Sequence, residues 1–96
     1  MESTLYLLHS FLELLSFIII DIFKARRNIK KLQKLTWFYD LHSSPQYKNY
    51  FQKIGRYKKL TSYLSNRDIV KALEHDIEER KRLIELLDSI HYGRRN

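Results

Sequence analysis

Apolar and small residues recur along the first part of the chain in steps of three and four, the spacing of one face of an α-helix. The steps are nearly heptad, with one stutter around Ile18, and are typical of a helix that packs in a coiled coil. The positions are Thr4, Leu7, Phe11, Leu14, Ile18, Ile22, Ala25, Ile29, Leu32 and Thr36. Because no glycine or proline precedes Pro45, we predict one long helix over residues 3–42, which the aromatic residues 37–39 could end early.

Two boundaries divide the remaining chain. Ser44 suits the N-cap and Pro45 the first position of a second helix, over residues 45–63. The sequence Ser65-Asn66-Arg67-Asp68 resembles a capping box before a third helix over residues 66–92, with Gly93 as its C-cap. The pattern therefore predicts an all-α fold, in which the three helices form a helical hairpin or a three-helix arrangement.

The first half of the long helix is apolar over most of its circumference. Residues 5–23 include thirteen Leu, Ile or Phe residues, and at 1.5 Å per residue they extend about 28 Å, close to the thickness of a bilayer core. Those thirteen contribute roughly −4 to −8 kcal/mol to insertion, whereas a central Glu13 costs about +2.5 to +3.5 kcal/mol. We predict that this segment either spans a membrane or is buried in a protein partner.

A strip of polar residues runs along the apolar segment on one side. At about 100° per residue, the strip contains Glu2, His9, Ser10, Glu13 and Ser16. In a membrane such ionisable groups face protein or water, and we predict that His9, Glu13 and Ser16 contact a partner. In the alternative, the strip faces water and the apolar face packs in a soluble assembly.

A broad basic face follows the apolar segment directly. It consists of Lys24, Arg26, Arg27, Lys30, Lys31 and Lys34. Basic residues beside a membrane segment bind anionic headgroups and orient the following chain to the cytoplasmic or an equivalent side, such as an organelle matrix. We predict that these residues bind an anionic surface; in the alternative they form an ordinary solvated face.

Composition agrees with an ordered helical protein that has anionic partners. The chain is 44% hydrophobic and 30% charged, with two glycines and one proline, so helix is favoured over disorder. A net charge of +7 favours lipid surfaces or nucleic acid as partners. The absence of cysteine excludes disulfides and thiolate sites and suits a reducing compartment. The start Met1-Glu2-Ser3-Thr4 does not resemble a cleaved signal.

The second predicted helix carries tyrosines among lysines. Tyr47 and Tyr50 could stack on unpaired bases while the lysines neutralise phosphates, which makes residues 47–63 the best nucleic-acid candidate. Tyrosines at helical spacing more often form a core or the rim of an interface. The signal is therefore not specific.

Catalytic chemistry has little support in the sequence. The only metal-like spacing is Asp88-x-x-His91, and the second such pair that a di-iron bundle needs is missing. No phosphate-binding glycine loop occurs. We predict that the chain is not an enzyme and uses no metal and no cofactor.

These patterns divide the chain into an apolar helix, residues 1–24, and a basic helical domain, residues 25–96. The interpretation they favour is a non-enzymatic helical interaction protein: a small, single-pass, membrane-associated accessory or structural subunit of a larger complex. Its partners would be anionic lipids and other protein subunits. The alternatives are a soluble helical nucleic-acid-binding or ribonucleoprotein component, and a self-assembling coat or filament subunit that forms homo-oligomers.

Overall fold

The computed structural model describes residues 2–93, and within them the side chains of residues 12, 13 and 15–93. The fold is all-α, as predicted: every regular element in this range is helical. The longest element is α1, Glu2–Leu32. At 1.5 Å per residue α1 is about 46 Å long, comparable with the longest dimension of the molecule, 54 Å.

Shorter helices follow α1 along the chain. They are α2 (Thr36–Ser43), α3 (Lys48–Gln52), a 3₁₀ turn (Ile54–Arg56), α4 (Lys58–Ser65), α5 (Arg67–His75) and α6 (Ile77–Gly93). The most extensive contact is between α1 and α4, while α1 also touches α5 and the 3₁₀ turn. The arrangement is a long helix with a compact helical domain at one end.

The core forms where the predicted seam of α1 meets α4. Ala25, Ile29 and Leu32 are buried against a cluster that includes Leu60 and Leu64. The three α1 residues lie at the predicted steps of three and four, so one ridge of the helix faces inward there. Phe38, Ile54, Leu73, Leu83 and Leu87 are fully buried and complete the centre.

The predicted long N-terminal helix is present, but it ends at Leu32 rather than at residue 42. Residues 33–35 form a turn with bonds from Lys34 N to Lys31 O and from Leu35 N to Leu32 O, and Leu35 is extended. Neither glycine nor proline lies at the break. It redirects the chain so that Phe38 is buried edge-to-face against Phe51, with ring centroids 5.6 Å apart.

The second predicted helix, residues 45–63, is divided into α3, the 3₁₀ turn and α4. Ser44 is the C-cap of α2 and its hydroxyl donates to Leu41 O, so it does not begin a helix as predicted. The break before α4 falls at Tyr57, which is extended. Thr61 Oγ1 donates to Ile54 O and Tyr57 O at 2.6 and 2.9 Å and thereby ties the turn to α4.

The third predicted helix, residues 66–92, is divided at Asp76 into α5 and α6. The N-cap of α5 is Asn66, which accepts bonds from the Asp68 and Ile69 amides, while Ser65 donates back to Ser62 O. Asp76 is extended, and its carboxylate accepts from Glu78 N at 2.9 Å. Asp76 therefore begins α6, which ends at Gly93.

Candidate functional site

The middle of α1, from Leu12 to Phe23, exposes a group of large apolar side chains, which we call the apolar segment. Phe17 and Phe23 are 69% and 68% exposed. The other members are about half exposed: Leu12, Leu15, Ile18, Ile19 and Ile20. Together they present on the order of several hundred Å² of apolar surface, as much as the largest patch on a typical soluble monomer and usually a sign of an interaction site.

The basic segment, Lys24, Arg26, Arg27, Lys30, Lys31 and Lys34, follows directly. All six side chains are exposed. Among the described residues, none of the ion pairs includes any of them. Their charge is therefore not neutralised by this part of the chain and is available to an anionic partner.

The apolar and basic segments meet on one ridge of α1. This ridge lies opposite Ala25, Ile29 and Leu32, which pack in the core. Starting at Ser16, steps of four, three, four and four lead through Ile20, Phe23 and Arg27 to Lys31. All five residues are exposed. A shallow surface pocket lined by Ile20, Phe23, Lys24 and Arg27 marks the junction between apolar and basic side chains. The exposed ridge is thus apolar toward its N-terminus and basic toward its C-terminus.

The predicted partner contacts fall on the exposed side of α1, with one outside the described side chains. Glu13 and Ser16 are exposed, and Ser16 Oγ donates to Leu12 O at 2.9 Å. The side chain of His9 lies outside the described part. That these residues contact a partner stays a prediction.

The two tyrosines considered for base stacking lie in the core. Tyr47 and Tyr50 are 8% and 5% exposed. Tyr47 donates its hydroxyl to Asp88, and Tyr50 is bonded to His91 Nδ1 at 2.9 Å. Burial leaves neither ring face open for stacking on a base.

The same contacts account for the metal-like spacing Asp88-x-x-His91. Tyr47, the N-cap of α3, and Tyr50 of α3 meet Asp88 and His91 of α6, so both polar groups are used in a contact between these elements. The bond to Asp88, followed by burial, raises the pKa of Tyr47 to about 12. No group of three or more potential metal ligands occurs among the described residues.

A second polar network joins α4 to α6 through Glu79. This carboxylate is 7% exposed and accepts from Tyr63 Oη at 2.9 Å and Arg82 Nη1 at 2.7 Å. Burial, and then the bond to Glu79, raise the pKa of Tyr63. Glu79 likewise raises the pKa of Arg82. Burial of Glu79 could not be predicted from the sequence, because Tyr63, its partner in α4, lies 16 residues away along the chain.

Arg80 lies on the apolar arc of α6 and forms no ion pair with an acid among the described residues. Its guanidinium lies 4.7 Å from the centre of the Trp37 ring, and Nε donates to Leu73 O at 3.3 Å. Arg80 therefore joins α2 to the C-terminal end of α5. The cation–π contact and the orphan carbonyl stabilise the charge.

Among the described residues, no helix is both long enough and apolar enough to cross a membrane. The predicted single-pass span is therefore not supported. Comparison of the chain with models of protein families, with curated proteins and with solved structures found no match.

Proposed function

We propose that this protein is a non-enzymatic helical interaction protein that associates with anionic membranes through α1. The apolar segment enters the lipid, the basic segment binds the headgroups, and the helical domain stays outside the bilayer, where it can hold a partner subunit. The observation that carries the proposal is the exposed ridge of α1, on which large apolar side chains are followed by unpaired cations.

Exposed apolar area supplies the driving force. Full burial of a Phe or Ile side chain stabilises by about 1.5–3 kcal/mol. Phe17, Ile20 and Phe23 belong to the apolar segment and are at least 47% exposed. Folding leaves these side chains exposed to water, so transfer of the segment into lipid would stabilise the membrane-bound state.

The order of the two segments along α1 favours a lipid surface as the partner. From Leu12 to Phe23 the helix advances about 17 Å, roughly half of a bilayer core of about 30 Å. The cations start at Lys24, so they would meet the headgroups of the leaflet that the apolar segment enters. Each basic residue near an anionic surface contributes about 1 kcal/mol.

Packing of the domain against one side of α1 limits how far the C-terminal end of the apolar segment can enter the lipid. A groove of about 390 Å³ separates Phe17, Ile18 and Ile22 from Lys58 and Ser62 at the start of α4. Deep burial of Ile22 in hydrocarbon would carry Lys58 with it, at the cost of desolvating its charge. The packed side of α1 therefore limits the depth, while the opposite ridge is free to face lipid.

The first test removes apolar area from the exposed ridge. The full-length double variant I20Q/F23Q should bind vesicles of phosphatidylcholine with phosphatidylserine about 2–5 kcal/mol more weakly than the unchanged chain in a flotation assay. The matched control, I77Q/I84Q, changes two exposed isoleucines of α6 and should bind normally. Equal binding by both double variants would contradict the proposal.

The second part of the test removes charge. R27Q/K30Q/K31Q should weaken binding by roughly 1 kcal/mol per residue, with a smaller effect at high salt. The control K59Q/R67Q/K71Q changes the net charge equally at exposed positions outside α1. Tight, salt-dependent binding of single-stranded RNA without vesicle binding would favour the nucleic-acid alternative instead.

A further inference from the structure

A polar cleft of about 380 Å³ lies between the C-terminal half of α1, the end of α2 and the start of α3. Its charged and polar lining comes from all three helices: Arg26 from α1, His42 and Ser43 from α2, and Lys48 from α3. The turn at residues 33–35 brings these helices together. The cleft therefore could not be recognised from spacing along the chain.

The cleft concentrates positive charge without a compensating acid. Arg26 and Lys48 are exposed cations, and no Asp or Glu is among the described residues that line it. Neither cation takes part in an ion pair between described residues. Two permanent positive charges facing one concave surface attract an anion, and arginine fits phosphate in a bidentate manner.

His42 is oriented by its own helix. Its Nδ1 lies 2.8 Å from Tyr39 O, and because a carbonyl oxygen only accepts, Nδ1 carries the proton. The ring is also stacked with Phe38 at a centroid distance of 5.9 Å. His42 is thus a fixed element of the lining, and its Nε2 can accept from a ligand hydroxyl.

The remaining lining indicates the size and character of the ligand. The side-chain amides of Gln33 and Gln52 can form hydrogen bonds with ligand hydroxyl groups. Ile29 and Phe51 form the apolar floor of the cleft. Phe51 is 4% exposed, so the floor offers no open ring for a nucleobase. The volume is at the low end for ligand pockets, about 300–1,000 Å³, which suits a headgroup-sized molecule.

We propose that this cleft binds the phosphate monoester group of a small polyol, with Arg26 and Lys48 on the phosphate and the amides and Ser43 on hydroxyls. The phosphate can be carried by a soluble sugar or inositol phosphate or by a phosphoinositide headgroup. Arg26 also belongs to the basic segment, so a lipid-borne ligand would rest on the proposed membrane association. A soluble ligand would not.

The direct experiment is an NMR titration of the full chain with inositol monophosphate, using inositol and sulfate as comparison ligands. We expect saturable shifts of the Ser43 and Lys48 amides, and binding about tenfold weaker in R26Q and in K48Q. K59Q and K71Q remove the same charge at exposed positions outside both the cleft and the basic segment, and they should leave Kd within about twofold. Absence of saturable shifts, or equal weakening by all four variants, would overturn the proposal.

Vesicles then separate the two sources of the phosphate. Phosphatidylinositol 4-phosphate vesicles are compared with phosphatidylserine vesicles of equal surface charge. A preference of about tenfold for the phosphoinositide that is lost in R26Q and K48Q assigns the lipid source. Saturable inositol monophosphate binding without that preference assigns the soluble source, and it would stand even if no vesicle were bound and the proposed function failed.

Discussion

At the scale of single residues, buried polar groups join elements that are distant in sequence. Asn28, 9% exposed, donates from Nδ2 to Leu64 O at 2.8 Å and so satisfies a carbonyl in the last turn of α4. Tyr63 and Arg82 both donate to the buried carboxylate of Glu79. A buried charge that lost such donors would destabilise the fold by several kcal/mol. These contacts define how α4 sits against α1 and α6.

The bond from Tyr47 to Asp88 predicts a loss of stability at high pH. The pKa of Tyr47 rises from 10.0 to about 12 on folding, so the folded chain holds this proton more tightly than the unfolded chain. The corresponding stabilisation is complete below pH 10 and is lost as the pH rises through about 12. Urea unfolding of the unchanged chain and of Y47F should show that the stability difference between them shrinks over this interval.

The exposed tyrosine Tyr39 provides the control, since it is 53% exposed and is not among the groups that raise the pKa of Tyr47. The difference between Y39F and the unchanged chain should stay nearly constant from pH 9 to pH 12. A constant difference for Y47F as well would mean that the bond to Asp88 does not shift this proton equilibrium.

At the scale of elements, the boundaries before α2, α5 and α6 are formed by turns or side-chain caps and contain neither glycine nor proline. Asn66 and Asp76 begin α5 and α6, since each accepts from amides two or three residues ahead. The break at residues 33–35 has no side-chain cap at Leu35. Burial of Phe38 and the Trp37–Arg80 contact supply the reason for this break.

The position of the cap before α5 can be tested directly. N66A removes the acceptor for the Asp68 and Ile69 amides and should lower the free energy of unfolding by about 1 kcal/mol. S65A should change it by less than about 0.5 kcal/mol, because Ser65 only donates to Ser62 O at an exposed site. Urea denaturation measures both free energies of unfolding. A larger loss in S65A than in N66A would mean that Ser65, as predicted from the sequence, is the N-cap.

At the scale of the whole molecule, one ridge of α1 packs in the core and the opposite ridge is exposed. Ala25 is the first buried apolar residue among those described. Packing against the domain extends back to Ile22, whose Cδ1 lies 3.1 Å from the place of a Cβ at Gly55, and the α1–α4 groove reaches Phe17. The helix N-terminal to this point contributes little to the described core.

A chain of residues 17–96 should therefore fold like the full chain but bind anionic vesicles more weakly. We expect its free energy of unfolding to change by less than about 1 kcal/mol, since every described core residue is kept. Thermal unfolding by circular dichroism and vesicle flotation measure the two properties. A chain of residues 29–96, which lacks Ala25 and Asn28, is the contrast and should be strongly destabilised. A large loss of stability in residues 17–96 would place the N-terminal half of α1 in the core.

The sequence by itself determined the all-α class, the inward ridge of α1 at Ala25, Ile29 and Leu32, and the order of apolar and basic segments along that helix. These features are local: a helix repeats every 3.6 residues, so spacing alone assigns residues to faces. The exposure of the basic residues is also expected from the sequence, because charged side chains without partners are seldom buried.

Only the tertiary structure decided where the three predicted helices break, which residues cap them, and what Tyr47, Tyr50, Glu79 and Arg80 contact. The side-chain contacts between elements depend on groups that the chain brings together from afar, as in the 41-residue separation of Tyr47 from Asp88. The cleft at Arg26 and Lys48 depends on the same turn, residues 33–35, that gives Phe38 its place in the core. Burial of a large aromatic ring outweighs the modest cost of ending a helix early, and that balance cannot be calculated from the residues at the turn alone.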